Sequence, residues 1–414
     1  MKKLIVALIA VLLAFGVVLS LNGQNAPAPV LTPAPAAGAD AVTSGEVPAE
    51  EAADAPAEEA APVIPEVRGL DYAALHALHD DGDVVMTLAG ETETWSRFYA
   101  WLQANGMQVE DYFRQMAENY QIAPDWNGSA GNGQSFASAV VEQAKDDLTS
   151  MMLIRAFAAE KGIALTEVDL AALTPDALAA EVLGEGKTAD DLREIVESRL
   201  HMSLDDYIAS DYASHLFRRC FEELYGPNGE NLSEEEIVAW LEGQDYLSAS
   251  HILLLTIDPM TGEALDEETV AQKKEQAQKL YEELSAIEDQ EALVARFAEL
   301  KAELCEDTGK TAYPDGYTFT PGTMVPEFEN AVRALDNYGV SAPVESSYGL
   351  HIIMRLPLGG ESLLYSSQGT PSTARVQMAA LRFAEEVDAY LADHPVEYAE
   401  GVEDLDLTQF VLAE

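Results

Sequence analysis

One stretch decides how much of this chain can fold. From Asn22 to Glu66 there is no lysine, arginine or aromatic residue; alanine and proline dominate, and acids are scattered from Asp40 to Glu66. Such a segment cannot bury enough apolar surface to offset its ordering entropy, so residues 22–66 are expected to form an extended, disordered linker. Ahead of it, Lys2 and Lys3 precede a run from Leu4 to Leu21 without a charge or a proline. Its length lies between that of a signal-peptide core and that of a spanning helix, so residues 1–21 read as a signal peptide or membrane anchor. Either one sends the remainder out of the cytoplasm, because the positive end stays inside. The anchor would bring the chain to a membrane if it were left uncleaved.

The residues beyond the linker must therefore hold the cores. The chain has 414 residues and is 48% hydrophobic, enough for two or three domains. Its net charge of −50 repels phosphate backbones, which excludes nucleic acid as a partner. Two cysteines, Cys220 and Cys305, provide neither a disulfide scaffold nor a four-thiolate zinc site, and no metal or cofactor is expected.

Residues 82–246 read as a mostly helical module with one strand at its front. Asp83–Leu88 has strand character, Ala89-Gly90-Glu91 forms a turn, and an aromatic-rich helix starts at Thr94. Further helices are expected over Phe136–Lys161, over Ala189–Glu223 with a break left open, and over Ser233–Leu241, where Ser233 and Glu236 make a capping box. His201 and His215 stand alone on helical stretches and read as packing or surface residues; Cys220 reads as a buried thiol.

Residues 247–357 change pattern. Ser250–Thr256 is a strand by apolar density, two helices follow, and then come Tyr317–Phe319, a helix from Pro326 to Leu335 and a last strand, Gly349–Leu356. That order describes a compact α+β domain. Beyond a loop, Ala374–Ala392 is amphipathic, and residues 371–414 are expected to pack back on the helical module.

Four ordered blocks in the second region resemble the parvulin-type (PpiC/rotamase) peptidyl-prolyl isomerases. They are His251-Ile252-Leu253, Cys305-Glu306-Asp307, the run from Phe319 to Glu329, and the run from Pro343 to Ile353. A helical region before and a helix after look like the extracytoplasmic foldases of the PrsA/SurA type. The resemblance implies an α+β chain in which a mainly helical chaperone-like module receives an inserted parvulin domain of small antiparallel sheet and surrounding helices. It implies isomerisation of X–Pro bonds in unfolded or secreted client polypeptides, without a covalent intermediate. By the same resemblance, Met324, Phe328 and Phe319 form the floor that grips the proline ring. His251 and His351 form a hydrogen-bonded pair beneath it, Asp307 acts electrostatically beside the twisting carbonyl, and Ser346 supplies a hydroxyl in that network. Cys305 matches no catalytic position and reads as structural.

Two features depart from the family pattern. Gly316 stands where a pocket leucine is usual, which is expected to widen one wall and keeps a second reading open, a non-catalytic holdase with a parvulin shape. The loop Asp258–Glu263 has no cation, so recognition of phosphorylated Ser/Thr-Pro is not expected. That acidic loop lacks EF-hand spacing and reads as solvated.

Overall fold

The computed structural model describes residues 64–131, 133–366 and 371–413; the apolar run at 1–21 and the linker up to residue 63 lie outside the described residues. The chain divides into two compact units, Met1–Cys220 with Ala384–Glu414, and Phe221–Phe383. The architecture is α+β, with long helices and small, mainly antiparallel sheets. Among the described residues no helix is long and apolar enough to cross a membrane.

In the first unit, strands β1 (Val84–Leu88) and β2 (Glu91–Thr94) form a hairpin. Ala89 and Gly90 both take positive φ, 47° and 89°, the geometry that lets a two-residue loop follow strand twist. The sequence pattern showed only the first of these strands, because Glu91–Thr94 is polar and carries no β signal. Helices α1 (Trp95–Tyr120) and α2 (Phe136–Lys161) supply fully buried Trp95, Phe98, Leu102, Leu148, Met152 and Phe157. The chain end returns to this unit: Glu397–Tyr398 pairs antiparallel with β1, setting Tyr398 opposite Met86.

The helix expected over Ala189–Glu223 is interrupted. A helix runs Ala189–Ile195, a π-turn follows over Val196–Leu200, and His201 takes a left-handed φ of 55°. His201 Nε2 lies 2.6 Å from Asp111 Oδ2, and Ser203 Oγ accepts the Asp206 N–H to open α3 (Leu204–Tyr225). Two short helices, Glu167–Ala172 and Pro175–Leu183, carried no apolar periodicity long enough to predict.

The second unit takes in the end of α3 from Phe221, and its first whole helix is α4 (Glu234–Gly243), started by the expected capping box between Ser233 and Glu236. Its sheet is built on β3 (Leu247–Leu255), flanked by β4 (Tyr317–Phe319) on one side and β6 (Gly349–Leu356) on the other. Helices α5 (Glu267–Ser285) and α6 (Gln290–Leu304) precede β4, and α7 (Pro326–Ala334) and β5 (Val344–Glu345) precede β6. Beyond β6, β7 (Leu363–Leu364) and β8 (Ser372–Thr373) extend the sheet, giving the order β8-β7-β4-β3-β6-β5. Helix α8 spans Ala374–Asp393, and its residues up to Phe383 belong to this unit.

Strand β3 is covered on both faces, so every residue from Leu247 to Leu254 is buried, including the polar Ser248, Ser250 and His251. Ile252 and Leu254 pack with Ala277, Leu280, Leu284, Phe297 and Leu300 of α5 and α6. Leu247 and Ala249 pack on the opposite face with Phe319, Phe328, Val332 and Ile353. Because side chains alternate along a strand, His251 is committed to that second face, under α7.

Candidate active site

The two histidines meet through register. Strands β3 and β6 run antiparallel with His251 opposite Ile353 and Leu253 opposite His351. The imidazoles therefore sit diagonally on one face of the sheet, their ring centroids 5.2 Å apart and the rings at 74°. Phe328, projecting from α7, lies edge-on to both, 5.2 Å from His251 and 5.5 Å from His351.

The expected hydrogen bond between the histidines is not formed. Each Nε2 is taken by another partner: His251 Nε2 lies 3.1 Å from Asp307 Oδ2, and His351 Nε2 lies 2.7 Å from Ser346 Oγ. The Nδ1 atoms of both rings are buried without a partner among the described residues. The diagonal register sets the rings edge to face, and two strong polar partners at the outer edges win the Nε2 atoms. An ionised carboxylate only accepts, so His251 Nε2 carries a proton. Ser346 Oγ accepts the Tyr348 N–H at 3.2 Å, which leaves its hydroxyl hydrogen free to donate to His351 Nε2.

Asp307 is the hub. It follows α6 and caps a single 3-10 turn, Thr308–Thr311. Its Oδ1 accepts the Gly309 N–H at 2.9 Å, and its Oδ2 accepts the Tyr317 hydroxyl at 2.6 Å as well as His251. Burial pushes this carboxyl up, but the bonds from His251, Tyr317 and Gly309 outweigh it and hold it well below the usual carboxylate range. Burial also lowers His251, yet its bond to Asp307 prevails and raises it above an ordinary histidine. His351 has no such partner; burial, and then the charge of His251, push it down to about 3. One imidazole thus favours its cation and its neighbour stays neutral.

Tyr317 was not singled out by sequence reasoning. It faces the site from β4, its ring stacked 5.7 Å from His251, while Tyr313 lies 4.7 Å behind it. One signal was available: a side chain at Gly309 would collide with the Tyr317 hydroxyl, so the glycine marks a close approach. Of the predicted proline-gripping residues, Phe319 and Phe328 are 1% and 3% exposed, and Met324 is the half-buried one at the cluster's edge. Cys305 Sγ is buried against β3, between the Leu253 N–H at 3.4 Å and the His251 carbonyl at 3.6 Å.

Gly316 does not widen a wall. It has φ of +133°, and a Cβ there would lie 2.6 Å from the Ala249 carbonyl oxygen and 2.8 Å from Leu356 Cδ1. The glycine is dictated by close passage of backbone over β3, and that position has no room for a pocket-lining side chain. Asp258 holds its own acidic loop by accepting the Met260 and Thr261 N–H groups. His215 Nδ1 accepts from the Arg218 guanidinium one turn along its helix. Among the described residues no three His, Cys, Asp or Glu side chains are placed to hold a metal ion.

Residues 251–356 match the rotamase family model, described as the PPIC-type PPIase domain. The chain carries a peptidyl-prolyl isomerase domain. All the residues of the hydrogen-bonded network lie within the matched span. The foldase protein PrsA of Caldanaerobacter subterraneus subsp. tengcongensis is 25% identical over 281 residues, 66% of this chain and 72% of that protein. The foldase protein PrsA of Halalkalibacterium halodurans is 37% identical over 131 residues, so the chain spans 32% of that relative and 30% of itself. Among solved structures, PrsA from Bacillus subtilis is matched at 15% identity and a TM-score of 0.24, covering 81% of this chain and 95% of that one.

Proposed function

We propose that this protein is an extracytoplasmic foldase that isomerises X–Pro bonds in unfolded or partly folded clients by a non-covalent mechanism. The observation that carries the reading is the chain Tyr317–Asp307–His251, set beside His351 and Phe328 within the isomerase domain. Rotation about an X–Pro bond is uncatalysed on a scale of about tens to hundreds of seconds. Bringing it to about a millisecond requires removing only about 6–7 kcal/mol. Breaking a covalent bond is unnecessary; what helps is an apolar grip on the ring and fixed polar groups that suit the twisted amide better than the planar one.

The residues divide these tasks. Met324, backed by Phe319 and Phe328, offers apolar surface for the proline ring. Asp307 already accepts three hydrogen bonds, which suits an immobile charge and not an attacking nucleophile. The imidazoles, locked by Asp307 and Ser346, are oriented before a client arrives, so no reorganisation is needed during rotation. The basic start and apolar run at Lys2–Leu21 support an extracytoplasmic location, as signal peptide or anchor. The net charge of −50 favours a dispersed, soluble surface around a client.

A protease-coupled assay of the full chain on an Xaa-Pro peptide panel tests the proposal. Asp307→Ala and Phe328→Ala should each lower kcat/KM by about tenfold or more. Unchanged turnover in both would refute the site assignment. Suppression of client aggregation by a wild-type chain with no isomerase activity would favour the holdase instead.

A further inference from the structure

Lys301, on α6, is out of keeping with its surroundings. Its side chain is buried, 8% exposed, with Nζ 3.0 Å from Ser250 Oγ, 2.7 Å from the Pro314 carbonyl and 3.5 Å from the Tyr313 carbonyl. Among the described residues no carboxylate lies within ion-pairing distance of it. Burial lowers the basicity of this amine, Cys305, Asp315 and Asp307 act against it, and Lys310 adds to the lowering. An ammonium withdrawn from water and met only by neutral oxygens is a poor device for stability, since an apolar side chain of similar size would often serve as well.

Its three partners explain its presence better than stability does. Ser250 is the neighbour of His251 on β3. Tyr313 and Pro314 lie in the segment whose two ends are Asp307 and Tyr317. The first half of that segment is tied separately, by Lys310 Nζ donating to the Cys305 carbonyl and Asp307 capping the turn at Gly309. The second half, which delivers Tyr317 to Asp307, reaches the strand that carries His251 in two ways: Tyr317 pairs with Ala249 in the ladder, and Lys301 joins the Tyr313 and Pro314 carbonyls just ahead of it to Ser250.

We propose that Lys301 is a positioning residue for isomerisation: its ammonium ties the 308–316 segment to β3 and so holds Asp307 and Tyr317 in register with His251. The proposal rests on the site assigned above. It does not place Lys301 against the client, because Ser250 alternates with His251 and faces away from the imidazole.

The test uses the full chain and two variants, Lys301→Met, which keeps the volume and removes the donors, and Ser250→Ala, which removes the anchor on β3. Two readouts are needed: kcat and KM on an Xaa-Pro peptide, and the titration of the His251 imidazole followed by NMR. The groups facing that imidazole are Asp307, Tyr317, Cys305 and His351. In Lys301→Met, kcat should fall about tenfold or more with KM little changed, as for a small misplacement of a catalytic constellation. The His251 midpoint should move down toward an ordinary histidine as its bond to Asp307 loosens. Ser250→Ala should shift both in the same direction by less. Wild-type kcat and an unmoved His251 titration in folded Lys301→Met would overturn the proposal; should that variant fail to fold, the same result in Ser250→Ala overturns it. If the wild-type chain turned over no peptide, the functional reading would fall, while the His251 titration would still decide the role of Lys301.

Discussion

The lowered basicity of His351 makes a measurable demand on stability. An unfolded histidine titrates near 6.5, whereas folded His351 is pushed down to about 3. Between those values the unfolded chain binds a proton that the folded one refuses, so stability falls as pH falls. Across pH 7 to 5 this amounts to about 2 kcal/mol, at about 1.4 kcal/mol per pH unit below 6.5. His251 acts with the opposite sign. Its folded value is raised, so its contribution is fully present below the unfolded value and is lost as pH rises through the folded one. Asp307, held low, contributes at every pH above the unfolded carboxylate value of about 3.9 and is constant in this window. The wild-type slope is therefore the His351 loss offset in part by the His251 gain, and His351→Gln should remove its destabilising part. The assay is urea unfolding at pH 7 and pH 5, followed by NMR signals from β3 and β6 so that only the second unit is reported. Relative to wild type, the variant should be about 2 kcal/mol better preserved on acidification. Equal pH dependence in the two proteins would refute the assignment of a buried neutral imidazole at 351.

The same geometry sets two more expected outcomes. Tyr317→Phe deletes one hydroxyl, whose bond to the Asp307 carboxylate is charge-assisted, and should cost about 1.5–3 kcal/mol in urea unfolding of the second unit while lowering the His251 midpoint; an unmoved midpoint would uncouple Tyr317 from the site. Gly316→Leu, which restores the usual family residue, should destabilise the domain instead of sharpening its pocket, because its Cβ meets the Ala249 carbonyl; a thermal midpoint at or above wild type would contradict the steric reading.

Legibility in the sequence followed the range of the interaction. The strands at Ser250–Thr256 and Gly349–Leu356, the helix from Pro326 and the capping box at Ser233 are local patterns, and the observed elements carry them with small boundary shifts. The hairpin partner Glu91–Thr94 and the short helices between Glu167 and Leu183 were missed because their residues carry little apolar periodicity. At the site, the resemblance to parvulins singled out His251, Asp307, His351 and Ser346, but the pairing it implied for the histidines is not the one formed. Two histidines in series looked sufficient for each other, whereas register set them diagonally and Asp307 and Ser346 took the Nε2 atoms.

The sequence alone determined the chain's net charge of −50 and its apolar content, and through its resemblance to parvulins it singled out an isomerase-like set of side chains between His251 and His351. Those follow from charge, apolar content and motif, which are properties of neighbours along the chain. Only the tertiary structure decided that Tyr317 completes the Asp307 hub, that Gly316 yields to a passing carbonyl, and that Lys301 is buried beside Ser250. Each of these depends on a distance between segments far apart in sequence, and a hydrogen bond or a clash is settled within a few tenths of an ångström.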